Sequence, residues 1–157
     1  MYSWKEAKEL EAGLLRDCKL RTTACGDGKM VWRIWGEGPP LILLHGGAGS
    51  WRHWALNIRS LAEHFTLYAG DLPGLGDSDE PPIPFDNSDF MSSVGHLADI
   101  VCDGINTLLG KYACFKILAF SFGAINSGFV AIRMGKRVQH LTLVGAGAVS
   151  YTHLTLP

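Results

Sequence analysis

Hydrophobic residues fall into two rhythms along this chain. Leu41-Ile42-Leu43-Leu44 is a continuous apolar run with no polar alternation, the pattern of a strand covered on both faces. Phe65 to Ala69, Phe115 to Phe120 and Leu141 to Val144 read the same way. Between them the spacing becomes helical. Trp54, Ile58 and Leu61 mark one helix, and Phe90, Val94, Leu97, Val101, Ile105 and Leu108 a long amphipathic one. A third runs from about Gly123 to Met134, with Gly135 as its stop. Upstream, Ser3 with Glu6 forms a capping-box start for a helix carrying Trp4, Ala7, Leu10 and Leu14. Lys19 to Ala24 and Met30 to Trp35, separated by Cys-Gly-Asp-Gly-Lys, predict a hairpin. Strands alternating with helices give an α/β domain with a mostly parallel sheet.

Composition narrows the partners. The 157 residues are 47% apolar and 18% charged, ordinary for one globular domain. A formal charge of −1 offers no field for nucleic acid or a membrane surface, so a small-molecule ligand is expected. The charged N-terminus lacks the apolar stretch of a signal peptide, and no apolar run approaches a membrane span; a cytoplasmic location is the expectation. Cys18, Cys25, Cys102 and Cys114 show no C-x-x-C pairing, so neither metal nor redox cofactor is called for. Pro81-Pro82-Ile83-Pro84 reads as a stiff loop inside one domain. Composition leaves oligomeric state open.

In open parallel sheets, ligands sit beyond the carboxyl ends of the strands, which directs attention to three loops. Ala119-Phe120-Ser121-Phe122-Gly123 turns a strand directly into a helix through a Ser flanked by small residues, the pattern of a nucleophile elbow. The bland alternative makes Ser121 a simple helix N-cap. His45-Gly46-Gly47-Ala48-Gly49-Ser50 follows the first buried strand, and its glycines allow backbone N–H groups to approach a developing negative charge. Its alternative, a phosphate-binding loop, lacks the Lys and the G-x-G-x-x-G register. The third loop is Asp71-Leu72-Pro73-Gly74-Leu75-Gly76-Asp77-Ser78. Small residues at Ala124, Ser127, Gly128 and Ala131 form a stripe expected to let the last helix approach the sheet.

Together the three loops resemble the N-terminal half of an α/β-hydrolase of the serine branch, over about residues 20 to 149. The resemblance implies a truncated form of that fold, with the hairpin opening the sheet and helices on both faces. It implies Ser121 as nucleophile, Gly47 and Phe122 as backbone oxyanion donors, and His45, Gly46 and Asp71 as loop supports. Residues 1–149 are then one incomplete domain and 150–157 a tail foreign to the family. Ala119 stands where Gly is usual. Ser at the elbow, rather than Asp, sets the chain apart from the epoxide hydrolase and haloalkane dehalogenase branches.

The implied activity is cleavage of an ester or related acyl bond in a small-molecule acyl substrate, without a cofactor. Carbon–carbon bond hydrolysis, cofactor-free haloperoxidase chemistry and a catalytically inert fragment are the alternatives. The last of these rests on an absence, since no Asp or Glu follows Ser121. His140 falls at a strand start, hence at the wrong end of the sheet, and His153 sits in the terminal residues. His53, His64 and His96 precede the Ser, with His53 expected to pack or meet solvent.

Overall fold

The computed structural model describes residues 3–146. Helix α1 (Trp4–Asp17) starts at the expected capping box, in which Ser3 and Glu6 satisfy each other's backbone N–H groups. Strands β1 (Lys19–Cys25) and β2 (Gly28–Trp35) form the antiparallel hairpin, closed by a two-residue turn at Gly26 and Asp27. Then come β3 (Pro40–Leu44), α2 (Ile58–Ala62), β4 (Thr66–Gly70), α3 (Phe90–Leu109), β5 (Phe115–Phe120), α4 (Phe122–Met134) and β6 (Val138–Val144). The sheet order is β1-β2-β4-β3-β5-β6. Contacts from β4 through β6 are parallel, and the hairpin joins antiparallel along β4.

The apolar run of β3 explains the layering. Ile42 and Leu44 face one core with Trp32, Ile117 and Ala119, which α3 and α4 cover. Leu41 and Leu43 face the other with Trp35, Leu67 and Ala69, covered by α1, α2 and the segment before it. Each β3 residue from Leu41 to Leu44 is buried because successive side chains point to opposite faces and both faces are occupied. Trp35 Nε1–H donates to the Leu14 carbonyl at 2.8 Å, tying α1 to the sheet.

Two expectations need correction. The helix read through Trp54, Ile58 and Leu61 is broken into a 3-10 turn over Trp51–Trp54 and the short α2. In a 3-10 turn, residues three apart eclipse, so Trp51 and Trp54 both turn into the same core, and both are buried. The small-residue stripe is narrower than expected. Ala124 and Ser127 are buried, but a Cβ at Gly128 would meet nothing within 4 Å.

The face of β6 is exposed along most of its length, including Leu141, Leu143 and Val144. The apolar run Leu141 to Val144 predicted a strand covered on both faces, and among the described residues neither face of β6 is covered in that way. Among the described residues no helix is long and apolar enough to cross a membrane. The tail at 150–157 and His153 lie outside the described residues.

Candidate active site at the carboxyl ends of β3, β4 and β5

Because β3, β4 and β5 run parallel, the three loops meet at one end of the sheet. Ser121, between β5 and α4, has φ 52° and ψ −115°. A non-glycine residue held there is strained, at a cost of about 1–3 kcal/mol, and persists only where its surroundings enforce it. Here they do. A Cβ on Gly123 would lie 2.6 Å from the Leu44 carbonyl oxygen and closer still to that of His45. Helix α4 therefore begins against the backbone of β3, and the chain must turn sharply at Ser121 to enter it. Ala119, fully buried and paired with Leu44, fits where the motif usually carries Gly. The Ser121 side chain makes no capping hydrogen bond, which removes the N-cap reading and leaves its hydroxyl uncommitted to the helix.

The glycine loop after β3 packs onto this turn. A Cβ on Gly46 would stand 3.2 Å from the Ser121 Cβ, and one on Gly47 would be 3.6 Å from the Phe122 Cβ. Gly46 N–H donates to His53 Nδ1 at 3.2 Å. Among the described residues, the Gly47 and Phe122 N–H groups donate to no protein acceptor. Two unengaged donors thus lie side by side next to an uncommitted hydroxyl. Beside them opens a cleft of about 330 Å³, with Gly47 and Phe122 in its wall together with Phe85, Phe90, Leu75 and Glu80.

The sequence matches the alpha/beta hydrolase fold over residues 39–156. This chain belongs to that family. It is 48% identical to a soluble epoxide hydrolase of Corynebacterium sp. over 62 residues, 40% of this chain and 22% of that protein. It is 32% identical to a (lyso)-N-acylphosphatidylethanolamine lipase of Mus musculus over 109 residues, 67% of this chain and 29% of that protein. Wild-type Cfl2 from Burkholderia cenocepacia superposes with a TM-score of 0.72 at 26% identity, covering 83% of this chain and 42% of that one. The chain thus spans less than half the length of each of these relatives.

The residues behind these three loops of the α/β-hydrolase chain are buried and interlocked. His45 is fully buried; its Nε2 accepts from Leu72 N–H at 2.9 Å, so Nδ1 must carry the proton, and it lies 2.7 Å from the Gly46 carbonyl oxygen. The neutral ring ties the glycine loop to the loop after β4. Burial pushes the His45 pKa down, which favours that neutral form. Asp71 is also fully buried. Its carboxylate accepts from Trp51 N–H at 2.7 Å, Asp77 N–H at 3.1 Å and Arg33 Nη1 at 3.0 Å. Ser78 Oγ donates to the Asp71 carbonyl at 2.6 Å and accepts from Val31 N–H, closing the turn onto β2. Arg33 also pairs with Asp77.

Sequence reasoning missed Arg33, although a charge inside the apolar run Met30 to Trp35 was the available signal. His53 was expected to pack or meet solvent. The structure gives it a specific acceptor role on Gly46, with its ring edge-on to Phe120 at 5.5 Å. His140 pairs with Lys116 at the start of β5, at the end of the sheet away from Ser121. His96, on the outer face of α3 with Asp99 and Arg133 nearby, stands apart from the three loops.

Proposed function

We propose that Ser121 is the nucleophile of a hydrolase that cleaves an ester or related acyl bond. The observation that carries this reading is the strained Ser121, with an uncommitted hydroxyl beside the unengaged N–H groups of Gly47 and Phe122. Ser121 Oγ attacks the carbonyl carbon, and its proton passes to a general base. The carbonyl oxygen gains negative charge, which the two N–H groups stabilise. Gly46 N–H is already engaged by His53, so Gly47 is the donor from that loop. Collapse breaks the acyl–oxygen bond, the leaving alcohol takes the proton from the base, and water then releases the acyl group from Ser121.

A Ser at the elbow favours this chemistry over the carboxylate-based reaction of the epoxide hydrolase branch. No Asp or Glu follows Ser121 in the sequence. The relatives are more than twice as long as the matched segment, and the proposal places the base and its acid partner in the corresponding further chain of the whole protein. The test is ester hydrolysis by that whole protein, before and after Ser121→Ala. A loss on the order of 10⁴-fold or more is expected. Retained hydrolysis would show that another group carries the reaction.

A further inference from the structure

We infer that the cleft beside Gly47 and Phe122 recognises an uncharged aryl group, and that Glu80 at its rim disfavours ligands carrying an anion on that group. The inference rests on the acyl-hydrolase reading for what lies next to the aryl group, namely the reacting carbonyl. Its support comes from the walls of the cleft.

Phe85, Phe90 and Phe122 are mutually edge-to-face, with ring centroids 5.7, 5.9 and 6.1 Å apart and interplanar angles of 78°, 66° and 75°. All three rings are half-buried and contribute to the wall of the cleft. Aromatic rings gain from edge-to-face contact beyond the area they bury, so a further ring fits this cluster better than a saturated one of similar size. The volume is adequate. An apolar cavity of about 150 Å³ holds a benzene ring, and this cleft of about 330 Å³ takes a phenyl ring with its substituents.

Charge sets the second condition. Glu80 is the one ionisable residue among those lining the cleft. Its carboxylate lies over Gly74, where a Cβ would be 2.9 Å from Oε2. The segment 71–90, which supplies most of the wall, contains Asp71, Asp77, Asp79, Glu80, Asp86 and Asp89 and no Lys, Arg or His. Asp71 and Asp77 are paired with Arg33, Asp79 accepts from Lys29 N–H, and Asp86 and Asp89 accept from Ser88 and Ser92 N–H and do not line the cleft, so Glu80 is the carboxylate presented to it. Because Glu80 is exposed, its effect is screened by salt.

The experiment measures noncovalent binding to the full chain by NMR titration with three probes: acetanilide, its anionic analogue 4-acetamidobenzoate, and the saturated N-cyclohexylacetamide. Acetanilide should bind saturably and shift the amides of Gly47, Phe85 and Phe90. The saturated analogue should bind about fivefold more weakly, and the anion about fivefold more weakly at low salt, less so at high salt. Glu80→Gln, isosteric and at an exposed position, should remove the penalty on the anion, bringing its affinity level with that of acetanilide on the same variant.

Equal binding of the anion and acetanilide to the unaltered chain, equal binding of the saturated ring, or a penalty that survives Glu80→Gln would each overturn the inference. So would absence of saturable acetanilide binding. Fluorophosphonate capture at Ser121, followed in parallel, separates the two readings. Aryl binding without capture would sink the hydrolase reading alone, and capture without aryl binding would sink this one alone.

Discussion

A single methyl group placed at two positions of the same helix should move stability in opposite directions. At Gly123 a Cβ would stand 2.6 Å from the Leu44 carbonyl oxygen and 2.8 Å from the Leu44 carbonyl carbon, with the His45 oxygen nearer still. These are backbone atoms of the central strand and its exit, so no rotamer change relieves the clash, and α4 must lift off β3. Overpacking costs about 1–3 kcal/mol, and a rigid backbone neighbour places Gly123→Ala at the upper end. The helix gains about 0.5–1 kcal/mol from losing a glycine, leaving a net loss of about 2 kcal/mol. At Gly128 a Cβ would meet nothing within 4 Å, so only the gain remains. For a chain of this size about 3 °C accompanies each kcal/mol, so the two variants should melt roughly 9 °C apart, on either side of the parent. Thermal and urea unfolding followed by circular dichroism read this directly. If Gly123→Ala were as stable as the parent, or moved with Gly128→Ala, the close approach that forces the turn at Ser121 would be refuted.

Other perturbations probe the loop supports. Asp71→Ala removes the buried partner of Arg33, leaving it only the half-exposed Asp77, and frees the Trp51 and Asp77 N–H groups, so a loss of about 3 kcal/mol, the lower end of what breaking a buried pair costs, is expected in urea unfolding. His45 is held below its ordinary pKa of 6.5 by burial, so the unfolded chain takes up its proton first. Its contribution is complete above pH 6.5 and is lost as pH falls below that value toward the folded pKa, at a slope of at most about 1.4 kcal/mol per pH unit. Urea midpoints at pH 7.5 and 5.5 should show this decline, and His45→Gln should flatten it.

Much of this architecture was legible because local pattern and tertiary role coincide. Leu41 to Leu44 could be read as a doubly covered strand since burial on both faces leaves no room for a polar residue, and the two cores confirm it. The three loops could be ordered because parallel strands deliver their carboxyl ends to one side. What escaped depends on which distant segments the sheet order makes neighbours. Arg33 meets Asp71 only because β2 lies beside β4. His53 meets Gly46 from within the 3-10 turn Trp51–Trp54, where the helical spacing read from the sequence does not hold. The aromatic cluster joins Phe85, Phe90 and Phe122 across a loop and two helices, and no spacing rule links those positions. Gly128 was misplaced for a related reason, since helical spacing identifies a face but not how far the neighbouring layer extends.

Mapping where a fluorophosphonate attaches to this chain tests the central claim most directly. Removal of a triad member leaves roughly 10³–10⁴-fold catalysis over water from the oxyanion donors and binding alone, so those donors still favour attack at this site without a complete triad. The account therefore predicts a slow but selective adduct on Ser121, found by tandem mass spectrometry in the peptide spanning residues 117–133 and absent after Ser121→Ala. Adducts scattered over exposed serines, or none at Ser121 under conditions that modify the others, would contradict it.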